Sequence, residues 1–551
     1  MLAGMADASS SPAATSSDSS PVALPQTCLP TWEVAELPEP PELSWRHWTR
    51  FIGPGVVMMG IQIGGGEWLF GPEVTAKYGG GLMWIATIAI VLQVFYNVEC
   101  GRYALYCGEP VFTGFMRTRP GPMFWMGFVL LLNLAALIPG LSTHAAAMVA
   151  AVILDRPPGT DERWLVAALA YVLLFAAVLP VLAGGKVYNM LQTVMTAKVA
   201  IVLGFCLVVG VTCVSAENWL NVFSGFVKFG TLPSVAADGR ETTVNVFQYR
   251  MSEGAWPLLA LGNIAVLGGF AGYAGGGGLG NATYSNFVRD KGWGMGQVVG
   301  AIPSAIGGRH VSLSHLGKVF KINAANLDRW RRWWKYILTD QVLIWAPGCF
   351  MGMALPALLS LEFAPYSHLS GAKLDWAQSL ITADGIRHAP RFSPLLSQLL
   401  WIATVFVGIM VMLPSQMSIV DDFSRRWTDI LWSGSRRIRD TMSGNQAKRV
   451  YYTILGGYVA WSAVCAYLFS EYGTPKLMTI VIANLNNVAI GATAFQLLWI
   501  NCRFLPVALR PRLFQRLGLV ACGTFYLGMS GLVFFHKQWP ELRKLLGTIL
   551  N

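Results

Sequence analysis

Long apolar runs recur along almost the whole chain, separated by short polar segments that carry most of the charge. Stretches such as LMWIATIAIVLQVFYNV and VAALAYVLLFAAVLPVLAG come close to or reach the roughly 18 to 20 residues that a helix needs to cross a bilayer. Lipid offers no partner to a backbone N–H or C=O, so these segments must be helices. The pattern predicts eleven spans, at 51–78, 81–106, 122–153, 163–183, 190–214, 256–288, 333–360, 395–420, 449–470, 476–502 and 514–536.

Composition agrees. Of 551 residues 54% are hydrophobic and 13% charged, and the mean hydropathy is +0.48, which disfavours a soluble globular protein. The net charge of +11 does not point to nucleic acid, because Lys and Arg gather in short loops between spans, as in RWRRWWK (329–335) and RRWTDILWSGSRRIR (425–439). With the N-terminus in the cytoplasm these loops carry a roughly two-to-one excess of positive residues on the inner side, which places the C-terminus outside. The expected location is a cytoplasmic or inner membrane, with the lipid bilayer as the chain's surroundings. The 9 cysteines show no metal-ligand spacing. Residues 1–30 lack the apolar core of a signal peptide, and their Ser/Ala/Pro composition predicts a disordered tail.

Two glycine runs break the pattern. Span one is interrupted by GGGE (64–67), and span six, five spans later, by YAGGGGLGN (273–281). Glycine costs helix stability of about 1 kcal/mol relative to alanine, so such runs at membrane depth point to a use. Breaks at matching places in two five-span halves mark transporters built from inverted repeats, whose discontinuous helices meet at the substrate site. The predicted organisation is a tail over 1–44, a first repeat over 45–215, an extracytoplasmic loop over 216–255, a second repeat over 256–504, and an eleventh span with a C-terminal tail over 505–551.

Unwinding exposes carbonyls that can hold a cation and N–H groups that can hold an anion. Glu67 opens the second half of span one, where the helix dipole favours its ionised form, and offers a hard oxygen ligand to a cation. Gln62, Tyr273, Asn281 and Asn487 are further polar candidates on or near the broken helices or on span ten. Any of them can equally hydrogen bond between helices. Glu99 and Arg102 share a helix face and should pair. His144 is a proton carrier or a satisfied bundle residue, and Lys198 either fills the site with positive charge or snorkels to the membrane surface.

GGGEW (64–68) resembles the DPGNW of the first helix in the Nramp (natural resistance-associated macrophage protein) family of divalent metal transporters, and the similarity runs without gaps to Trp84 through Gly66, Trp68 and Gly79. The chain looks like a divergent, Nramp-related bacterial branch that lacks the DPGN motif. The resemblance covers about 45–536 and implies an all-α LeuT-type fold (APC superfamily) with 5+5 inverted repeats and one extra helix. Gly64 stands where the family's metal-binding Asp would be and Glu67 where its Asn would be, while the Met-Pro-His of helix six is replaced within GGFAGYAGGGGLGN (268–281).

A site without sulfur favours hard ions such as Mg²⁺ or Mn²⁺. The expectation is therefore a secondary transporter that moves a divalent cation by alternating access. Glu67 would be the metal ligand, joined by the backbone of Gly64, Gly65, Gly66, Ala274, Gly275, Gly276, Gly277 and Gly278. The rival is a symporter of a small organic solute such as an amino acid, docking on the same glycine runs; a non-transporting sensor is the third reading. No cofactor or nucleic-acid partner is implied, and no nucleophile, metal cluster or nucleotide motif suggests an enzyme. Span three holds no acidic residue before Asp155, so proton coupling is not expected.

Overall fold

The computed structural model describes residues 27–42, 53–137, 139–235, 239, 241–260, 264–369, 375–472 and 476–540. Each of the eleven predicted spans coincides with helix in the described part of the chain. Seven continuous helical runs are long and apolar enough to cross a membrane, and Pro122–Leu132 and Leu141–Leu154 are shorter apolar helices. Lipid-facing positions stay apolar and exposed, as at Leu179, Val211 and Leu399, because in a bilayer the outside of the bundle is solvated by hydrocarbon.

Span one runs as Pro54–Gln62, a π-helical turn Gly66–Phe70 and Gly71–Tyr78. Span six runs as Ile264–Tyr273, a tight turn Gly278–Gly280 and Tyr284–Lys291. Both predicted breaks are present. A third was not predicted: span three, expected to be continuous over 122–153, divides into Pro122–Leu132, a turn Leu134–Leu137 and Leu141–Leu154. Pro139 has no N–H to donate and Gly140 leaves helical geometry at φ −128, ψ 0, so a helix cannot run through this pair.

Span eight is longer than expected. It continues as one helix, Pro394–Gly434, of 41 residues. Its polar lower part is buried in a charge lattice rather than exposed: Arg425 pairs with Asp421 at 3.0 Å and also with Asp290, Arg289 pairs with Asp429, and Tyr451 donates to Asp421 at 2.6 Å. Each carboxylate meets a guanidinium, which is the condition for burying charge.

The tail expected over 1–44 requires correction in its described part. Residues 27–42 form a strap across one end of the bundle. Glu33–Val34 pairs in parallel with Lys318–Val319, and Trp32 stacks on the Arg117 guanidinium at 4.4 Å. Trp333 and Tyr336 donate to the carbonyls of Pro38 and Pro41, each at 2.8 Å. Of the tryptophans of RWRRWWK, Trp333 thus binds the strap, while Arg329 and Arg332 hold Glu39 at 2.8 and 2.5 Å. At the opposite end the connection 216–255 folds into helix Ala216–Gly225 and a hairpin of Thr231–Val235 with Glu241–Asn245. It seats on the second half of span one, where Lys77 pairs with Glu241 at 2.7 Å.

Candidate functional site

The first break begins where Ile63 donates its N–H to Met59 at 3.0 Å and turns the chain out of the helix at ψ 79. Glu67 then folds back, accepting the Gly64 N–H at 3.1 Å, and its side chain is buried. The carboxyl group thus satisfies an amide that the break has freed.

The second break needs glycine for its backbone. Gly275, Gly277 and Gly278 have φ of +78°, +58° and +57°. It is held from span two by Gln93, a residue the sequence reading passed over. The Gln93 carbonyl oxygen accepts the Gly276 N–H at 2.7 Å and the Asn281 amide at 3.0 Å, while its amide nitrogen donates to the Ala274 carbonyl at 2.7 Å. A lone amide in the middle of an apolar span was the available signal.

The two breaks touch, and a cavity of about 310 Å³ opens beside them. Of the residues singled out from sequence, Gln62, Gly64, Gly65, Gly66, Glu67, Tyr273, Gly275, Gly276 and Gly277 line it. Ala274, Gly278 and Asn281 do not. The Ala274 carbonyl is taken by Gln93, and Asn281 points to Gln93 and Asn97, so these residues brace the break instead of offering it ligands. Asn487 likewise donates to the Gly268 carbonyl at 2.8 Å, a helix-to-helix bond. Glu99 and Arg102 pair at 2.8 Å as expected.

The third break adds Asn133 and Gly140 to the wall, with His144 one turn further on. The Nδ2 of Asn133 and the Nδ1 of His144 are buried without a hydrogen-bond partner in the described structure, so they are open to a polar guest or to water. Span eight contributes Ser415, Asp422 and Arg426, and Asp422 and Arg426 pair with each other.

Lys198 of span five does not snorkel. It is 1% exposed, and its ammonium donates to the Ser415 hydroxyl at 2.5 Å. Ser415 Oγ lies 3.0 Å from where a Cβ on Gly64 would stand, which places the ammonium behind the first break and within electrostatic reach of Glu67.

Discontinuous helices meeting at a mid-bundle cavity, inside a helical membrane protein, are the arrangement of the LeuT-type fold. Two solved structures of one transporter bear out the fold. A manganese transporter of Eremococcus coleocola, in complex with an aromatic bis-isothiourea substituted compound, superposes with a TM-score of 0.55 at 14% identity over 93% of each chain. A histidine-to-alanine mutant of that transporter gives 0.54 at 14% identity over 94% of each chain. MhsT in complex with L-phenylalanine gives 0.46 at 14% identity, covering 90% of this chain and 100% of that one. No family model and no curated protein matches the sequence.

Proposed function

We propose that the protein carries a small zwitterionic organic solute, of amino-acid type, through the cavity between its broken helices by alternating access. The observation that supports this reading is the charge balance at the breaks. Two carboxylates, Glu67 and Asp422, line the cavity together with the Arg426 guanidinium that pairs with Asp422, and one buried ammonium, Lys198, bonds to Ser415 behind the first break. A zwitterion adds no net charge to such a site, and its amine can meet Glu67 while its carboxylate meets backbone N–H groups of the glycine runs. A cavity of about 310 Å³ walled by Leu141, Phe287 and Phe469 suits an organic guest.

A hard divalent cation, Mg²⁺ or Mn²⁺, is the second reading. Glu67 on the cavity wall favours it, and so does the likeness of fold to a manganese transporter. Against it stands the donor set: among the described residues no group of three or more His, Cys, Asp or Glu is placed to hold a metal. Uptake into proteoliposomes, measured with a panel of radiolabelled amino acids and of divalent ions, separates the two. Amino-acid accumulation that divalent ions neither compete with nor replace supports the first reading, and accumulation of a divalent ion alone overturns it.

A further inference from the structure

Buried carboxylates in this bundle have arginines: Glu99, Glu109, Asp290, Asp421 and Asp429 each pair with one. Asp340 of span seven is equally buried and makes no such pair among the described residues. It is held by hydrogen bonds alone. Its Oδ1 accepts the Gly55 N–H of span one at 2.9 Å, and its Oδ2 accepts the Tyr284 hydroxyl of span six at 2.8 Å and the amide of Gln341 at 3.0 Å. The residue sits on a π-helical turn, Thr339–Trp345, a form that recurs at functional sites. Gly55 belongs to the first turn of its helix, where an N–H has no partner within the helix, and Tyr284 opens the second half of span six. The approach is close, since a Cβ on Gly55 would stand 2.7 Å from both Cγ and Oδ1 of Asp340.

From Asp340 a chain of amides runs to the second break. Asn97 of span two donates to the Gln341 oxygen at 2.9 Å, and Asn281 donates to the Asn97 oxygen at 2.9 Å and to the Gln93 oxygen at 3.0 Å. The same Gln93 oxygen accepts the Gly276 N–H at 2.7 Å. A carboxylate has only acceptors, so Gln341 must turn its nitrogen to Asp340 and its oxygen to Asn97, which fixes the direction of every later link. We propose that Asp340 is a positioning residue that links the two broken helices: through this oriented chain it ties the Gly276 backbone, on the cavity wall, to the start of span one. A solute that moves Gly276 moves Gln93 and Asn281 with it, and the change reaches the Gly55 N–H although Asp340 never meets the solute. The inference rests on the alternating-access reading, in which the half-helices move in concert.

The test is hydrogen–deuterium exchange, read by mass spectrometry on the purified full-length protein, in wild type, Asp340→Asn and Gln341→Leu. Asp340→Asn keeps the size of the side chain and an oxygen for the Gly55 N–H, but it turns a donor toward Gln341 and so reverses the chain. Amides of 273–281 should then exchange at least tenfold faster, although Asp340 bonds to none of them, and those of 54–62 should follow. Amides of the span-four helix Arg163–Val178 should keep the wild-type rate. Unchanged exchange in either of the first two segments, or an equal rise in span four, overturns the proposal: the former denies the link, and the latter is general loosening of the bundle. Should the Asn variant fail to fold, Gln341→Leu cuts the chain one link further on and should speed exchange at 273–281, and an unchanged rate there overturns the proposal as well. Exchange needs no solute, so failure of the uptake panel would reject the zwitterion reading and leave this link standing.

Discussion

A Cβ placed on Gly66 in the first break would stand 2.9 Å from the Cβ of Tyr273 in the second and 3.2 Å from its carbonyl oxygen. The two broken helices pass each other at a distance that only glycine permits, and this crossing holds the breaks on one cavity. Gly66→Ala should therefore abolish uptake while the protein still inserts and purifies. Gly204→Ala on span five, where a Cβ meets nothing within 4 Å, is the control and should keep full activity. Equal uptake by both variants would mean that the crossing is not needed.

Gly276 tests the second break. A Cβ there would meet the Gln62 amide nitrogen at 2.3 Å and Asn281 Oδ1 at 2.4 Å, so Gly276→Ala must push the two helices apart or displace Gln62. Proteoliposomes containing it should show uptake reduced at least tenfold. Wild-type uptake would show that the neighbouring amides simply rotate away.

Gln93 holds two backbone groups of the second break, the Gly276 N–H and the Ala274 carbonyl. Gln93→Leu leaves both unpaired in the interior, at about 1–3 kcal/mol for each group. The variant should unfold several degrees earlier in a fluorescence melting assay and bind solute more weakly. An unchanged melting temperature would show that water replaces the amide.

Glu67→Gln keeps the shape of the side chain and removes its charge. Solute affinity should fall at least tenfold, about 1.4 kcal/mol, whether the guest presents an amine or is a metal cation. A direct binding measurement decides this, and unchanged affinity in a normally folded variant would confine Glu67 to holding the Gly64 N–H.

The strap can be tested apart from the site. Trp32 is buried among Tyr106, Phe504 and Arg117, so Trp32→Ala should cost about 3–5 kcal/mol of stability. A fluorescence melting assay checks this, and an unchanged melting temperature would show that the strap adds nothing to the stability of the bundle.

Periodicity and hydropathy were enough to locate all eleven spans, because a helix is the one local answer to an apolar run in lipid. The two glycine runs gave away the breaks in spans one and six for the same reason: the cost of glycine at membrane depth is local and can be read along the chain. Pro139–Gly140 carried a similar signal and announces the third break, although the length of the apolar run around it concealed the interruption. The strap was hidden because its anchors, Arg117, Lys318 and Trp333, lie far away in sequence.

Only the tertiary structure decided which freed groups stay free. Gln93 claims Ala274 and Gly276 from another helix, and Asn281 turns toward span two, although both breaks had looked equally open to a ligand. It also decided where the buried ammonium ends. Lys198 and Ser415 are 217 positions apart in the chain, and nothing in either segment says that one donates to the other. A local pattern sets how each helix forms and where it breaks, whereas pairing between buried polar groups depends on which helices pack together.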